Sequence, residues 1–373
     1  MLTGRSSDVA EYSPVDNADP ARRPCERDPV TVARRREPAE LVLGPATRLL
    51  WRSPRAVHLE LGSSGVVVDG LPIPLIQRIA AAIVPDAPAA LVDDGVRHAL
   101  TALTEAGYLW VRSPDDARLA PPAPRLAGEL TALAARHGEH AAEMLNARRH
   151  ASVEIHGRSR AAAQVAAVLA AAGIGRVRCT ADGDAKLFQA TPGGIRPHDE
   201  GALFAAAAED AIHRAAPEAD TTPLPVDVCP DLTILAVDAP VPDERRHALH
   251  AADTAYLTVF LGVDHGVVGP LVLPGLTSCL HCADLHRRDR DPAWSALAVQ
   301  LSVPGRHGPA SDAAVTTVIA GVAALQALTF LDGGEPACLD GTLELRLPDW
   351  RLRRRSWPAH PDCDCTAGAV PPG

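Results

Sequence analysis

Two cysteine pairs, far apart in the chain, constrain this sequence more than any other feature. Cys279 and Cys282 stand in a Cys-x-x-Cys segment (SCLHC), and Cys363 and Cys365 in a Cys-x-Cys segment (HPDCDC). Two such pairs on short loops can supply four thiolates to one zinc ion at tetrahedral geometry. Close spacing within each pair matters, because the chain must reverse to aim both sulfurs at one ion. Pro274 and Gly275 precede the first pair, Pro358 and Pro361 the second. A structural zinc of this kind contributes on the order of 10 kcal/mol to folding. It would pin the segment around Cys363 onto the domain that carries Cys279. Four sulfurs leave no open coordination position, so the expected role is structural. The other readings are a redox pair at Cys279 and Cys282, or unrelated buried thiols. A redox pair normally opens a helix after a strand, whereas this segment reads as a loop. His281, His286 and His360 lie close by and read as exposed loop histidines.

Hydrophobic residues make up 47% of the 373 residues and aromatics only 3%, so the core must be built from Ala, Val, Leu and Ile. The net charge of −10 argues against a nucleic-acid partner. The one basic cluster, Arg351–Arg355 (RLRRR), reads as a solvated strand edge or loop. No apolar run is read as reaching the roughly 18 residues of a membrane span, and the N-terminus has no signal-peptide core. The expectation is a cytoplasmic protein with reduced thiols, whose eight cysteines serve metal binding or chemistry.

Residues 1–40 are polar, proline-rich and without apolar periodicity, the composition of a disordered tail. Residues 41–114 read as a small winged-helix-like domain. A hairpin is expected in Arg48–Leu61 and a strand in Gly65–Asp69. Helices follow over Pro72–Ile83 and Pro88–Ala106, and Tyr108–Val111 closes the unit as a strand. Residues 115–150 hold a linker and a long helix: the proline-rich Ser113–Pro124 leads into Leu126–Arg149. From Ala151 strands and helices alternate: strand Ser152–Ile155, helix Ser159–Ala172, strand Arg176–Thr180, helix Leu203–Ala215, strand Leu232–Val237, helix Asp243–Ala252, strand Tyr256–Leu261. Such alternation makes a Rossmann-like α/β domain with a mostly parallel sheet, over residues 151–373.

Residues 151–365 resemble the ThiF-like, ubiquitin-activating-enzyme superfamily. The resemblance is carried by VEIHGRSR (Val153–Arg160), LAAAGIGRV (Leu169–Val177), Asp182, DLTILAVD (Asp231–Asp238), VGPLVLPGLTSCLHC (Val268–Cys282), the helix Ala313–Phe330 and the Cys363/Cys365 pair. With the N-terminal unit, the long helix and CADLHRRDRDPAW (Cys282–Trp294), the chain is similar to the leader-peptide-binding partner proteins of azoline-forming, bacteriocin-type peptide biosynthesis. That resemblance implies a precursor leader peptide as ligand, a YcaO-type cyclodehydratase as partner, and a winged-helix unit that recognises the peptide. Candidate strand edges for the peptide are Val57–Leu61 and Val66–Val68, with the helix Val92–Ala106 as groove wall. Homodimers are common in the fold.

Active members of the superfamily adenylate a carboxyl terminus with ATP and Mg2+. Their Gly-x-Gly-x-x-Gly turn lets backbone touch phosphate at a helix N-terminus. Here the register is Gly157-Arg158-Ser159-Arg160-Ala161-Ala162, so Ser159 and Ala162 bring side chains where backbone should meet phosphate. Gly157, Asp182 and Asp238 match the turn, the ribose acid and the Mg-ATP aspartate, and would bind cofactor only if ATP is bound. Ala239 follows Asp238 where the family has Asn. The Asn-Leu-x-Arg-Gln stretch after the ribose acid is replaced by GDAKLFQATPGG (Gly183–Gly194), with Lys186 and Arg196 as candidate replacement cations. Cys179, Cys229 and Cys338 lack an activating histidine, and no catalytic residue is assigned. The expectation is a catalytically degenerate binding protein; the alternative is an active adenylyltransferase on a peptide or carrier-protein C-terminus. A DNA-binding regulator is disfavoured by Asp93, Asp94 and Glu105 beside the single Arg97 of the candidate helix.

Overall fold

Short apolar strands alternating with alanine-rich helices can bury both sheet faces only by crossing over the sheet, and that is how residues 152–261 fold. The computed structural model describes residues 40–44, 46–53, 56–61, 64–70, 72–80, 94–112, 123–302 and 311–365. The expected tail (apart from Glu40) and Cys25 fall outside them, as do most of the expected linker and the first residues of the expected helix at Pro88–Ala106.

The central sheet has seven strands. β6 (Ser152–His156), β7 (Arg176–Thr180), β8 (Leu232–Val237) and β9 (Tyr256–Leu261) run parallel in the order β7-β6-β8-β9. Three antiparallel strands extend it beyond β9: β10 (His265–Val272), β11 (Gly341–Arg346) and β12 (Leu352–Ser356). Four of seven strands are thus parallel, which bears out the α/β expectation. β12 is the basic cluster, and it is a fully exposed sheet edge. Charged residues there discourage pairing with other edges.

One sheet face is covered by α5 (Ala162–Ala171), α6 (Phe204–Ala215) and α10 (Ala313–Leu331). By length and composition α10 is long and apolar enough to cross a membrane, which corrects the reading that no such run exists. Thr316, Thr317, Gly321 and Gln326 interrupt the run in sequence and disguise it. Its Val315, Ile319, Ala323 and Ala327 are buried against α5, β9 and β10. The opposite face carries α7 (Asp243–Ala251) and the cysteine cluster.

The N-terminal elements differ from expectation in their pairing. β2 (Thr47–Ser53), β3 (Ala56–Leu61) and β4 (Ser64–Asp69) form an antiparallel meander with β3 central. Val57–Leu61 is therefore not an edge: its backbone is paired on both sides. β4 is an edge. The closing strand β5 (Leu109–Arg112) pairs instead with β1 (Glu40–Leu43). Val96, Leu100 and Leu103 of α2 (Asp94–Glu105), with Ile76 of α1 (Ile73–Ala80), pack on Val57 and Leu59. Val42 and Trp110 of the β1–β5 ribbon pack on Leu126, Leu130, Leu133 and Leu145.

The expected long helix is broken. α3 (Ala127–His137) and α4 (Ala141–His150) are separated by a 3-10 turn, Gly138–His140, with Gly138 at φ 58° and ψ −134°. That conformation cannot continue a helix and suits glycine alone. Arg148 then fastens α4 to the sheet domain. Its guanidinium donates to Asp332 (2.8 and 2.6 Å), Glu129 (3.2 Å) and the Ala172 carbonyl (3.0 Å), and only 2% of its side chain is exposed. Burial works against that charge, but Asp332 and Glu129 outweigh it and hold the guanidinium protonated.

Candidate metal centre and nucleotide crevice

The strand β10 delivers the chain through residues 273–278 to α8 (Leu280–Arg290). Cys279 is the N-cap of that helix, and Cys282 lies in its first turn. The pair therefore does open a helix after a strand, contrary to the loop reading. Apolar content in α8 is too low to announce a helix. Antiparallel β11 and β12 then return the chain, and the turn after them sets Cys363 and Cys365 against α8.

The four sulfurs lie within 4.8 Å of one another. Cys279 Sγ is 4.0 Å from Cys282 Sγ and 3.7 Å from Cys363 Sγ, and Cys282 Sγ is 3.4 Å from Cys365 Sγ. These separations are too long for a disulfide bond. A metal ion about 2.3 Å from each of four tetrahedral sulfurs sets them about 3.8 Å apart. The cluster fits that figure, so it can hold a metal ion. Cys279 and Cys282 are buried, Cys363 and Cys365 half-buried. Burial pushes the Cys279 thiol up to about 12 and the Cys365 thiol up as well. At Cys282 burial acts the same way, but N–H groups of His360 and Cys279 outweigh it and lower the thiol. A bound dication would compensate the thiolates that burial otherwise disfavours.

Two of the nearby histidines, His286 and His360, bond across the junction beside the cluster, and none of the three is a fully exposed loop residue. His281 and His286 belong to α8, and His286 Nε2 donates to the Pro358 carbonyl (2.9 Å). His360 is buried, its Nε2 bonded to Asp289 Oδ2 (2.8 Å) and its Nδ1 accepting from Asp362 N–H (3.1 Å).

A second candidate site opens where the parallel order reverses, between β6 and β8, the usual ligand crevice of such sheets. Gly157 ends β6 at φ +108°, and a Cβ there would lie 2.2 Å from the Ala236 carbonyl oxygen. Packing alone therefore demands this glycine. Ser159 is buried, with its N–H on the Ala236 carbonyl (3.3 Å) and its hydroxyl without a hydrogen-bond partner among the described residues. Ala162 is fully buried. Neither side chain is exposed toward an incoming phosphate, which corrects the obstruction expected from the altered turn. α5 begins at Ala162 rather than Ser159 and has no side-chain cap.

Arg158 is the exposed side chain of the turn. Its guanidinium passes over Gly183, beside the exposed Asp182, so closely that a Cβ at Gly183 would lie 2.7 Å from Nη1. It also acts on Asp238, at the end of β8. Burial pushes the Asp238 carboxyl up to about 6, and Arg158 pulls the other way. Arg160 is engaged elsewhere, donating to the carbonyls of Ser311 (2.5 Å) and Ala190 (3.1 Å). Lys186 pairs with Asp184 (3.9 Å), and Arg196 with Asp199 (3.3 Å) and Asp210 (3.6 Å). Both candidate replacement cations are thus neutralised locally. Cys179 and Cys338 are buried, and burial pushes them up to about 12 and about 11, away from nucleophilic form. Cys229 is exposed, with its thiol near the Ala252 carbonyl.

Sequence reasoning missed a polar patch beside the crevice. Glu154 and His156 of β6 face Arg178 and Thr180 of β7. His156 contacts Thr180 Oγ1 through Nδ1 and Glu154 through Nε2 (3.3 Å). Burial, then Arg245 and Arg178, lower His156 to about 4. The signal was the strict polar alternation of VEIH and RVRCT, unusual for parallel strands buried on both faces.

The two perturbed groups pull stability in opposite directions with pH. Asp238 binds its proton more tightly folded than unfolded, so its contribution is full below about pH 4 and is lost as pH rises through about 6. His156 contributes above about pH 6.5, and that is lost as pH falls through about 4. Asp238→Asn is therefore expected to steepen the gain in stability between pH 4 and 6.5. Urea midpoints across that range measure it, and an unchanged slope would contradict the assignment.

No family model matches this sequence, and no match was found among curated proteins. Solved structures do match. E. coli MccB with succinimide superposes at a TM-score of 0.66 and 17% identity, over 88% of this chain and 99% of that one. E. coli MccB with AMPCPP and selenomethionine MccA gives 0.65 at 17% identity over the same shares. Selenomethionine PaaA gives 0.60 at 15% identity, over 84% of this chain and 99% of that one. This chain has the ThiF-like fold. The match extends over nearly the whole MccB chain and includes MccB bound to ATP and to N-formylated MccA.

Proposed function

We propose that this chain binds the leader segment of a ribosomally made precursor peptide and presents it to a YcaO-type cyclodehydratase in the cytoplasm, its own crevice having lost adenylation. The observation that carries this reading is the match to MccB over almost its entire length, in structures that hold the MccA peptide. The open edge of β4 supports it further. An extended leader can add there as a strand, with α2 walling the groove and Val67 exposed on β4 itself. Under the same proposal, residues 41–114 recognise the peptide, residues 115–150 connect, and residues 151–373 form the ThiF-like body. The ion in the four-sulfur site is zinc, with a structural role, and the protein works as a homodimer.

Fluorescence anisotropy with a labelled precursor encoded beside this gene tests the reading. Binding at micromolar affinity is expected, weakened at least roughly tenfold when Val67→Pro removes a strand position on β4. No binding by any neighbouring precursor would sink it.

A second reading, adenylation of a peptide or carrier-protein C-terminus, is favoured by one observation: Asp238 stays half-buried at the end of β8, beside the turn that Gly157 makes. Substrate-dependent ATP–pyrophosphate exchange decides. None is expected; exchange that Asp238→Ala abolishes would replace the first reading with the second.

A further inference from the structure

The basic cluster of the sequence forms an unused sheet edge. β12 pairs with β11 on one side only, so its other edge has no strand partner among the described residues. Arg353, Arg355 and Trp357 follow one another at period two, on the face shared by Glu344 and Thr342. Trp357 is the buried floor of that face, its indole N–H donating to Thr342 Oγ1 at 3.1 Å. Three guanidinium groups surround the ring: Arg287 and Arg290 at 5.0 Å from its centroid, and Arg355 at 5.6 Å. Cation–π attraction explains each contact singly. It does not explain three like charges at one ring, which repel one another. Resident carboxylates answer some of them. Asp284 takes Arg287 (2.8 Å), Glu344 takes Arg355 (3.4 Å), and Asp349 takes Arg353. Arg290 is exposed and has no carboxylate partner among the described residues.

We propose that this edge docks an extended acidic peptide segment of a partner protein, which adds as a strand outside β12, sets a carboxylate on Arg290 and shares Arg353 and Arg355 with their resident partners Asp349 and Glu344. A strand presents every second side chain to one face, so a segment with acids at period two matches the arginine row while its backbone fills the free edge. β12 is five residues long, the length of a short linear segment. Charge selects the occupant. Arginines repel the same edge of a second copy. A phosphate chain has no backbone N–H and C=O groups at strand spacing, so it cannot fill the free edge of β12 as a peptide can.

The test uses the full chain and a fluorescein-labelled decapeptide alternating glutamate and threonine. Anisotropy is expected to show binding that salt weakens. Arg290→Glu combined with Arg353→Glu should weaken it roughly tenfold or more. Arg136→Glu, on the exposed side of α3, should leave it unchanged. Unchanged thermal midpoints establish that the variants fold. The proposal is overturned by absence of binding below about 1 mM, by equal affinity for the peptide with glutamine in place of glutamate, by unchanged affinity in the double charge reversal, or by tighter binding of a ten-thymidine oligonucleotide. Neither arginine belongs to the β4 edge, so leader binding should survive the double reversal and the two readings fail separately.

Discussion

Replacing Cys363 and Cys365 together by serine is expected to abolish metal binding and to destabilise the protein by several kcal/mol, toward the order of 10 kcal/mol that a structural site contributes. The loss is large because the sulfurs hold more than an ion. Cys279 and Cys282 belong to the core cluster that also contains Leu235, Leu249, Tyr256 and Val272, and the tail cysteines pack against it. Releasing the tail strips the cover from that cluster. It also frees the partners of His360 and His286, which bond across the same junction to Asp289 and to the Pro358 carbonyl. Metal content by plasma emission and stability by urea unfolding check the expectation. Cys229→Ser, remote from the cluster, should leave both unchanged. Wild-type protein purified without metal, or a double serine variant as stable as wild type, would contradict it.

Arg148→Ala is expected to cost about 3–5 kcal/mol. Removing the guanidinium leaves Asp332, whose side chain is only 10% exposed, as a buried charge without its partner. It also takes hydrogen bonds from Glu129 and from the Ala172 carbonyl. Three elements end at this one group: α3 through Glu129, α5 through Ala172 and α10 through Asp332, so the loss is felt across the junction between the helical connector and the sheet. Replacing the pair together, Arg148→Met with Asp332→Leu, should restore most of the stability, because apolar groups of similar size need no charge partner. A single-variant cost below about 1 kcal/mol would show that the pair is solvated and unimportant.

The parallel half of the sheet was legible because its signals are local. β8 and β9 are short apolar runs, β6 and β7 alternate with a period of two, and helical segments intervene between consecutive strands. The antiparallel half was not. β12 contains four polar residues out of five (LRRRS), and β10 carries a glycine and a proline within its apolar run. Both are strands because β9 and β11 offer them partners, a non-local fact. β5 was readable as a strand but its pairing was not, since its partner β1 lies about seventy residues earlier. In the site, the four cysteines were readable from spacing alone, and the structure brings them together. The setting of the first pair at a helix start was not, since α8 owes its place to Trp357 and His360, far along the chain. The crevice was misread in detail. A glycine fingerprint describes side chains that would protrude, whereas here Ser159 and Ala162 turn inward and Arg158 is the group left outside.

The separation of the two sulfur pairs also bears on synthesis. A ribosome that has made α8 has delivered only half the ligands; the remainder emerge after β11 and β12. The tetrad therefore cannot close on a nascent chain until Cys365 has cleared the exit tunnel, and a product that stalls anywhere before it leaves Cys279 and Cys282 as an unclosed pair. A metal ion held by all four sulfurs would therefore be captured only once translation has passed β12 and Cys365.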